Sequence, residues 1–340
     1  MEPLRACIAG AGLMGRWHAW AVEKTGGQVA MVVDPNTTAA ARLAAQHKGA
    51  RAFCDLEKAL RSERLDVLHI CAPSETHFRI AESAIDARLH VIVEKPLTPQ
   101  ASETESLFDR AETQGVMLCP VHQFLFQDGT FTAKDSLPRI GRLVHLQGVF
   151  CSAGGVGQNE EQLDVLVEDI LPHPLSLLHT FLPGGLPEFG WNCFRPNRGE
   201  IRVSGQASDV SLSIFVSMNA RPTVCSFQIF GESGTIHLDL FHGYAVIESG
   251  EVSRWRKATH PFELALRTLS ASATNLGRRI VQWQPAYPGL KRLVSDFYQA
   301  ARAGTAAPIS REDAIAVARV RDMLTRSDDF SEKTPARIRS

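Results

Sequence analysis

Apolar and polar positions follow two different rhythms along the chain. In the first third, short apolar runs at Leu4–Ala9, Gln28–Val33, Arg51–Phe53, Asp66–Cys71, His90–Val93 and Val116–Val121 read as buried strands. Ala/Leu-rich stretches of helical length, such as Thr37–His47 and His77–Arg88, lie between them. Strands alternating with helices predict a parallel sheet covered on both faces. The helix after the fifth run carries signals at both ends. Thr98 is placed to cap it, Pro99 suits its first position, and Gly115 suits its close.

Past residue 121 the period shortens. IRVSGQA (201–207), VSLSIFVSM (210–218), VCSFQIFG (224–231) and TIHLDLF (235–241) alternate as antiparallel strands do, and Gly-Glu-Ser-Gly at 231–234 predicts a hairpin turn. A helical tail follows, including LKRLVSDFYQAARAG (290–304) and EDAIAVARVRDML (312–324), before a polar end, SDDFSEKTPARIRS, expected to fray. The gly-rich stretch CSAGGVGQNEEQ (151–162) reads either as a lid or as a surface connection. At 340 residues the chain exceeds what one core usually fills. The division is expected near residue 121, with 1–121 as one domain and 122–340 as an α+β domain on an open, mainly antiparallel sheet.

Composition narrows the functions. Net charge is −1 with mixed signs and 21% charged residues, which argues against a general nucleic-acid or anionic-membrane binder. No apolar run approaches a membrane span, and MEPLRACIAG leads into a strand and glycine loop rather than a signal peptide. Seven scattered cysteines without a CxxC pair suit a reducing, cytoplasmic compartment. Twelve histidines show no ligand spacing, so no metal is expected.

GAGLMG at 10–15 fits G-x-G-x-x-G between a strand and a helix, and Asp34 follows the second strand 19 residues after Gly15. In this context the pattern predicts a Rossmann-type, doubly wound α/β domain over 1–121. Gly10 permits the turn, Gly12 lets backbone approach a pyrophosphate, and Gly15 packs helix on strand. Leu13 and Met14 open the helix whose N-terminus favours the phosphate anion. The competing reading is a glycine turn with a surface Asp. Asp34 can bind both ribose hydroxyls and would repel a 2′-phosphate, so NAD is expected in preference to NADP. Ala72, Pro73 and Ser74 end the fourth strand, at the edge where such sheets bind ligands; His77 either joins them or packs its helix.

The run VIVEKPLTPQ (91–100) ends a buried strand in Glu94-Lys95-Pro96. Charge there is costly unless it is paired or put to use. A structural Glu–Lys pair is one reading. The other is a reaction centre beside nicotinamide, where a desolvated lysine, its charged form disfavoured, polarises a carbonyl or relays a proton. His173 lies between Pro172 and Pro174, which excludes a helix interior and predicts a first turn beginning near Pro172. The positive helix end keeps imidazole neutral, as a base requires, although a packing role for His173 stays open. His122 and Gln123, at the expected domain junction, are candidates to line a substrate cleft.

With GAGLMGRWHA, Asp34, Glu94-Lys95-Pro96 and DILPH (169–173) in place, the chain resembles the glucose–fructose oxidoreductase, inositol dehydrogenase and rhizopine-catabolism (Gfo/Idh/MocA) family. The resemblance extends to the layout of nearly the whole chain. It implies an NAD(P)-dependent dehydrogenase or reductase acting on a sugar, cyclitol or related polyol. It also implies that Lys95 holds the reacting oxygen, that His173 moves the proton, and that Asp169 contacts substrate or the histidine. Glu94 would orient or neutralise, and Pro96 would fix the turn. Two departures fall near His173: Leu171 where the family commonly has glycine, expected to add bulk beside the substrate, and Ser176 where an acid is frequent. An NAD-using glycosidase and a non-catalytic NAD-bound regulatory protein are the alternatives. An uncovered sheet face predicts a homodimer or homotetramer.

Overall fold

Two sheets organise the computed structural model, which describes residues 2–250 and 254–326. The first contains β1 (Arg5–Ala9), β2 (Gln28–Val33), β3 (Arg51–Phe53), β4 (Val67–Ile70), β5 (His90–Val93) and β6 (Leu118–Pro120), all parallel, in the order β3-β2-β1-β4-β5-β6. Helices α1 (Leu13–Lys24), α2 (Thr37–Ala44), α3 (Leu56–Leu60), α4 (His77–Asp86) and α5 (Ala101–Gln114) connect them. Strand order reverses between β1 and β4, opening a crevice at the carboxyl edge. β4 and most of β5 are buried on both faces, which explains their unbroken apolar sequences.

α5 starts later than the local pattern predicts. Thr98 and Pro99 remain in the bend, Gln100 is the cap residue, and Ala101 is the first helical residue. The Thr98 hydroxyl donates instead to the Gln100 carbonyl at 2.7 Å. Asp322, 221 residues away, accepts from the Ala101 N–H at 2.8 Å. The helix start is therefore satisfied from the other end of the chain. Gly115 closes α5 in the left-handed conformation, φ 67°, as expected.

The second sheet has the order β13-β12-β11-β7-β10-β9-β8. It is built from β7 (Leu143–Cys151), β8 (Asn192–Phe194), β9 (Glu200–Ala207), β10 (Val210–Ser217), β11 (Val224–Gly231), β12 (Gly234–Asp239) and β13 (Tyr244–Ser249). The alternating segments at 201–241 predict antiparallel pairing, and all pairs follow it except β10 with β7, which run parallel. Glu232 and Ser233 form the hairpin turn between paired Gly231 and Gly234. One face buries Leu146, Ile214, Phe227 and Ile236 in a core shared with Leu175, Leu178, Val317 and Val320.

Six further α-helices follow: α6 (Asp128–Ile140), α7 (Glu160–Ile170), α8 (Pro172–Phe181), α9 (Arg254–Val281), α10 (Leu290–Ala303) and α11 (Arg311–Arg326). α10 returns to the first core, where Leu293, Val294, Phe297 and Tyr298 are fully buried. Each such side chain contributes about 1.5–3 kcal/mol of burial. The 151–162 stretch connects β7 to α7, whose start is capped by Asn159 and Gln162 bonding each other's N–H. The polar tail SDDFSEKTPARIRS lies outside the described residues.

Candidate active site

The glycine loop leaves β1 at Gly10, where φ is +104° and a Cβ would meet the Cys71 carbonyl oxygen at 2.5 Å. Only glycine fits there without strain. Asp34 completes the loop from β2: its Oδ2 accepts from the Ala11 N–H at 2.7 Å and its Oδ1 from the Asn36 N–H at 2.8 Å. The acid is thus held against the loop by backbone donors. Nothing lies within 4 Å of a Cβ built on Gly12, so the approach a pyrophosphate needs is open. α1 begins at Leu13 without acidic residues in its first turn, leaving its positive end uncompensated. The residues present fit a dinucleotide.

At the neighbouring edge, β5 delivers Glu94, Lys95 and Pro96, with the Lys95–Pro96 peptide cis. The cost of burying Glu94 is met by His18, whose Nε2 lies 3.1 Å from the carboxylate. Burial pulls Glu94 toward its neutral form, but the His18 hydrogen bond and the charges of His18 and Lys95 outweigh it and hold the carboxyl below its ordinary range. The chain continues inward. His18 Nδ1 meets His69 Nδ1 at 2.9 Å, and His69 Nε2 meets the Tyr298 hydroxyl at 2.8 Å. His18, His69 and Tyr298 are all fully buried. One of the paired Nδ1 atoms must carry the hydrogen. Burial, then the charge of His18, lowers the His69 pKa well below the usual histidine range.

His77 bridges two turns: Nδ1 lies 2.9 Å from the Pro96 carbonyl oxygen and Nε2 2.8 Å from that of Ala72. It braces the β4 and β5 ends against each other while its ring borders the cleft.

The opposite wall comes from a break between two helices. α7 ends at Ile170, Leu171 stays αR, and α8 starts at Pro172 as the prolines predict. Asp169 and His173 flank the break, and both line the cleft. Leu171 departs from its expectation: its side chain is fully buried in the second core and does not line the cleft, because the break turns it inward. Ser176 is buried, its hydroxyl donating to the His173 carbonyl at 2.9 Å. His173 packs on Phe124 with ring centroids 4.4 Å apart, and its buried Nδ1 has no hydrogen-bond partner among the described residues. Burial, then the charges of Lys95 and His122, pushes His173 well below the usual range, so it stands neutral. Burial raises Asp169, opposed chiefly by Lys95 and then Arg321.

The resulting cleft, of about 720 Å³, brings together Met14, Ala72, Pro73, Ser74, His77, Glu94, Lys95, Gln123, Asp169 and His173. Gly10, Gly12, Leu13, Gly15 and Asp34 lie along the same sheet edge but do not line it. His122 does not line it either. It faces a second cavity, of about 640 Å³, with Lys134, His179 and Asp313, and burial pushes its pKa down to about 4. Sequence reasoning did not reach Cys225, Leu240, Phe241, His242, Arg279 and Tyr287, which close the cleft from β11, the β12–β13 turn, the last turn of α9 and the segment after it. Tyr287 carries a positive φ of 49° and packs at a tilt against Trp17, ring centroids 5.4 Å apart. No motif marks these positions, since only the second sheet's packing carries them to the cleft.

A doubly wound domain with an open glycine loop and an acid after β2 defines a dinucleotide-binding protein. Residues 4–122 match the model of the Gfo/Idh/MocA oxidoreductase family with an NAD-binding Rossmann fold. It is 34% identical over 137 residues to UDP-N-acetylglucosamine 3-dehydrogenase of Acidithiobacillus ferrooxidans, a match covering 38% of this chain and 42% of that protein. It is 24% identical over 239 residues to the NADP(+) scyllo-inositol 2-dehydrogenase of Bacillus subtilis, covering 63% and 69% respectively. A levoglucosan dehydrogenase solved with NADH and levoglucosan shares the fold at TM-score 0.77 and 18% identity, over 96% of this chain and 97% of that one. Among the described residues, no helix is long and apolar enough to cross a membrane and no His/Cys/Asp/Glu group is arranged to hold a metal.

Proposed function

We propose that the protein is an NAD-dependent oxidoreductase that moves a hydride between nicotinamide and a hydroxyl or ketone carbon of a sugar, cyclitol or related polyol. The supporting observation is the convergence of Lys95, Asp169 and His173 on one cleft, beside a loop fit for a dinucleotide. When bound, nicotinamide would supply the hydride acceptor or donor. Lys95 then holds the reacting oxygen. Neutral His173 takes the hydroxyl proton during oxidation and returns it during reduction, and its lowered pKa keeps it ready as a base through neutral pH. Asp169 contacts the substrate's neighbouring hydroxyls. Asp34, already accepting two backbone N–H groups, repels a 2′-phosphate and favours NAD over NADP. Residues 1–121 serve as the NAD-binding domain, with α10 packed back onto it, and 122–340 as the substrate and oligomerisation domain. The enzyme works in the cytoplasm as a homodimer or homotetramer.

A panel of sugars and cyclitols, followed by NADH absorbance, tests the assignment. Lys95→Ala and His173→Ala should each lower turnover by about 10²–10⁴-fold while NAD affinity stays within error and above that for NADP. Near-normal turnover in both variants overturns the catalytic roles. Sugar release without net NADH would mark a glycosidase instead.

A further inference from the structure

We propose that the outward face of α9 pairs with the same helix of a second copy of this chain, in antiparallel order. α9 (Arg254–Val281) has 28 residues, a length of roughly 42 Å. Its inner face is fastened to its own sheet: His260 to Glu248 at 2.9 Å, Arg267 to the Ile247 carbonyl at 2.8 Å, and Asn275 to the His242 carbonyl at 3.0 Å. The outer face carries Phe262, Leu266, Leu269, Ala273, Leu276 and Ile280, in alternating steps of four and three residues. All are exposed, the five large ones between 58% and 78%.

This spacing is the narrow seam of a two-helix coil rather than the wide stripe of a helix lying in lipid. Ala265, Ser270, Ser272 and Gly277 flank the seam, and such small residues let a second helix approach closely. The seam is also self-complementary. With a two-fold axis near residue 271, Phe262 meets Ile280, Leu266 meets Leu276, and Leu269 fills the space over Ala273. Antiparallel order also opposes the two helix dipoles, whereas parallel pairing would align them. Covering the six residues removes roughly 700 Å² per copy, close to the ~800 Å² per partner of a standard interface. A lone surface leucine needs no partner, but a continuous seam of this area does.

The test uses the full chain with Leu266→Glu and Leu276→Glu together. Both residues are exposed, so the fold should survive, as checked by far-ultraviolet circular dichroism. Light scattering after gel filtration at micromolar concentration should show the subunit number halved relative to wild type. A monomeric wild type, or a variant of unchanged mass, overturns the proposal. In a Cys54→Ser background, Ser272→Cys near the axis should cross-link to its own copy. Ile280→Cys, about 27 Å from its counterpart, should not. Cross-linking at both positions or at neither overturns the antiparallel order. Sedimentation of wild type, but not the double variant, with phosphatidylcholine–phosphatidylglycerol vesicles would assign the seam to lipid and overturn it as well.

Discussion

His69→Leu tests whether the buried chain behind Glu94 is a hydrogen-bonded unit. In the native protein His69 satisfies two groups that have no access to water: His18 Nδ1 at 2.9 Å and the Tyr298 hydroxyl at 2.8 Å. Leucine fills much of the ring's volume but bonds neither. Each orphaned buried group costs about 1–3 kcal/mol, so the substitution should remove roughly 2–6 kcal/mol, a large part of a typical domain's stability. Tyr298→Phe separates this from simple repacking. In wild type it removes a made hydrogen bond and should destabilise. In His69→Leu it removes an orphaned hydroxyl and should be neutral or stabilising. The coupling energy should therefore be about 1–2 kcal/mol, read from urea unfolding of the four proteins. Additivity within ~0.5 kcal/mol would refute the chain as a unit.

Two other outcomes follow from the same structure. His122 has a folded pKa of about 4, below its unfolded value of about 6.5. The unfolded chain therefore binds the proton more readily, and stability present above about pH 6.5 is lost as pH falls toward the folded pKa. His122→Gln removes that loss, so its stability relative to wild type should improve by about 2.4 kcal/mol between roughly pH 7 and pH 4.5. An unchanged difference between the two pH values refutes the assignment. Arg321 donates to the Pro99 carbonyl at 2.8 Å and the Glu168 carbonyl at 3.3 Å, tying the bend after Lys95 to the helix that carries Asp169. Arg321→Met should cost about 1–3 kcal/mol and move the acid limb of kcat/KM to higher pH, because one cation opposing the raised Asp169 pKa is gone. A profile that keeps its acid limb would limit Arg321 to a structural role.

The first sheet was legible because its signals are local. An apolar run of four to six residues with helical stretches on either side has few other solutions. The glycine loop, Asp34 and the charge at the end of β5 sit in those short units, and Pro172 sets the α8 start by its own ring. Local pattern failed where a distant segment competed with it. Thr98 is a good cap in isolation, yet Asp322 supplies the acceptor at Ala101 and frees Thr98 for another bond. Leu171 faces the core because the break between α7 and α8 turns it there. His122 and Gln123 are neighbours in sequence, but they face different cavities.

The amino-acid sequence alone thus determined the elements of the first sheet, its nucleotide loop and the residue types brought to its carboxyl edge. Those follow from backbone sterics, periodicity and the partners a group can reach within a few residues. Tertiary structure decided what Glu94 is bonded to, which wall Asp169 and His173 complete, and which face of α9 remains uncovered. Each of those depends on contacts between segments far apart in the chain. Their closeness is set by how two cores pack, and no local pattern encodes it.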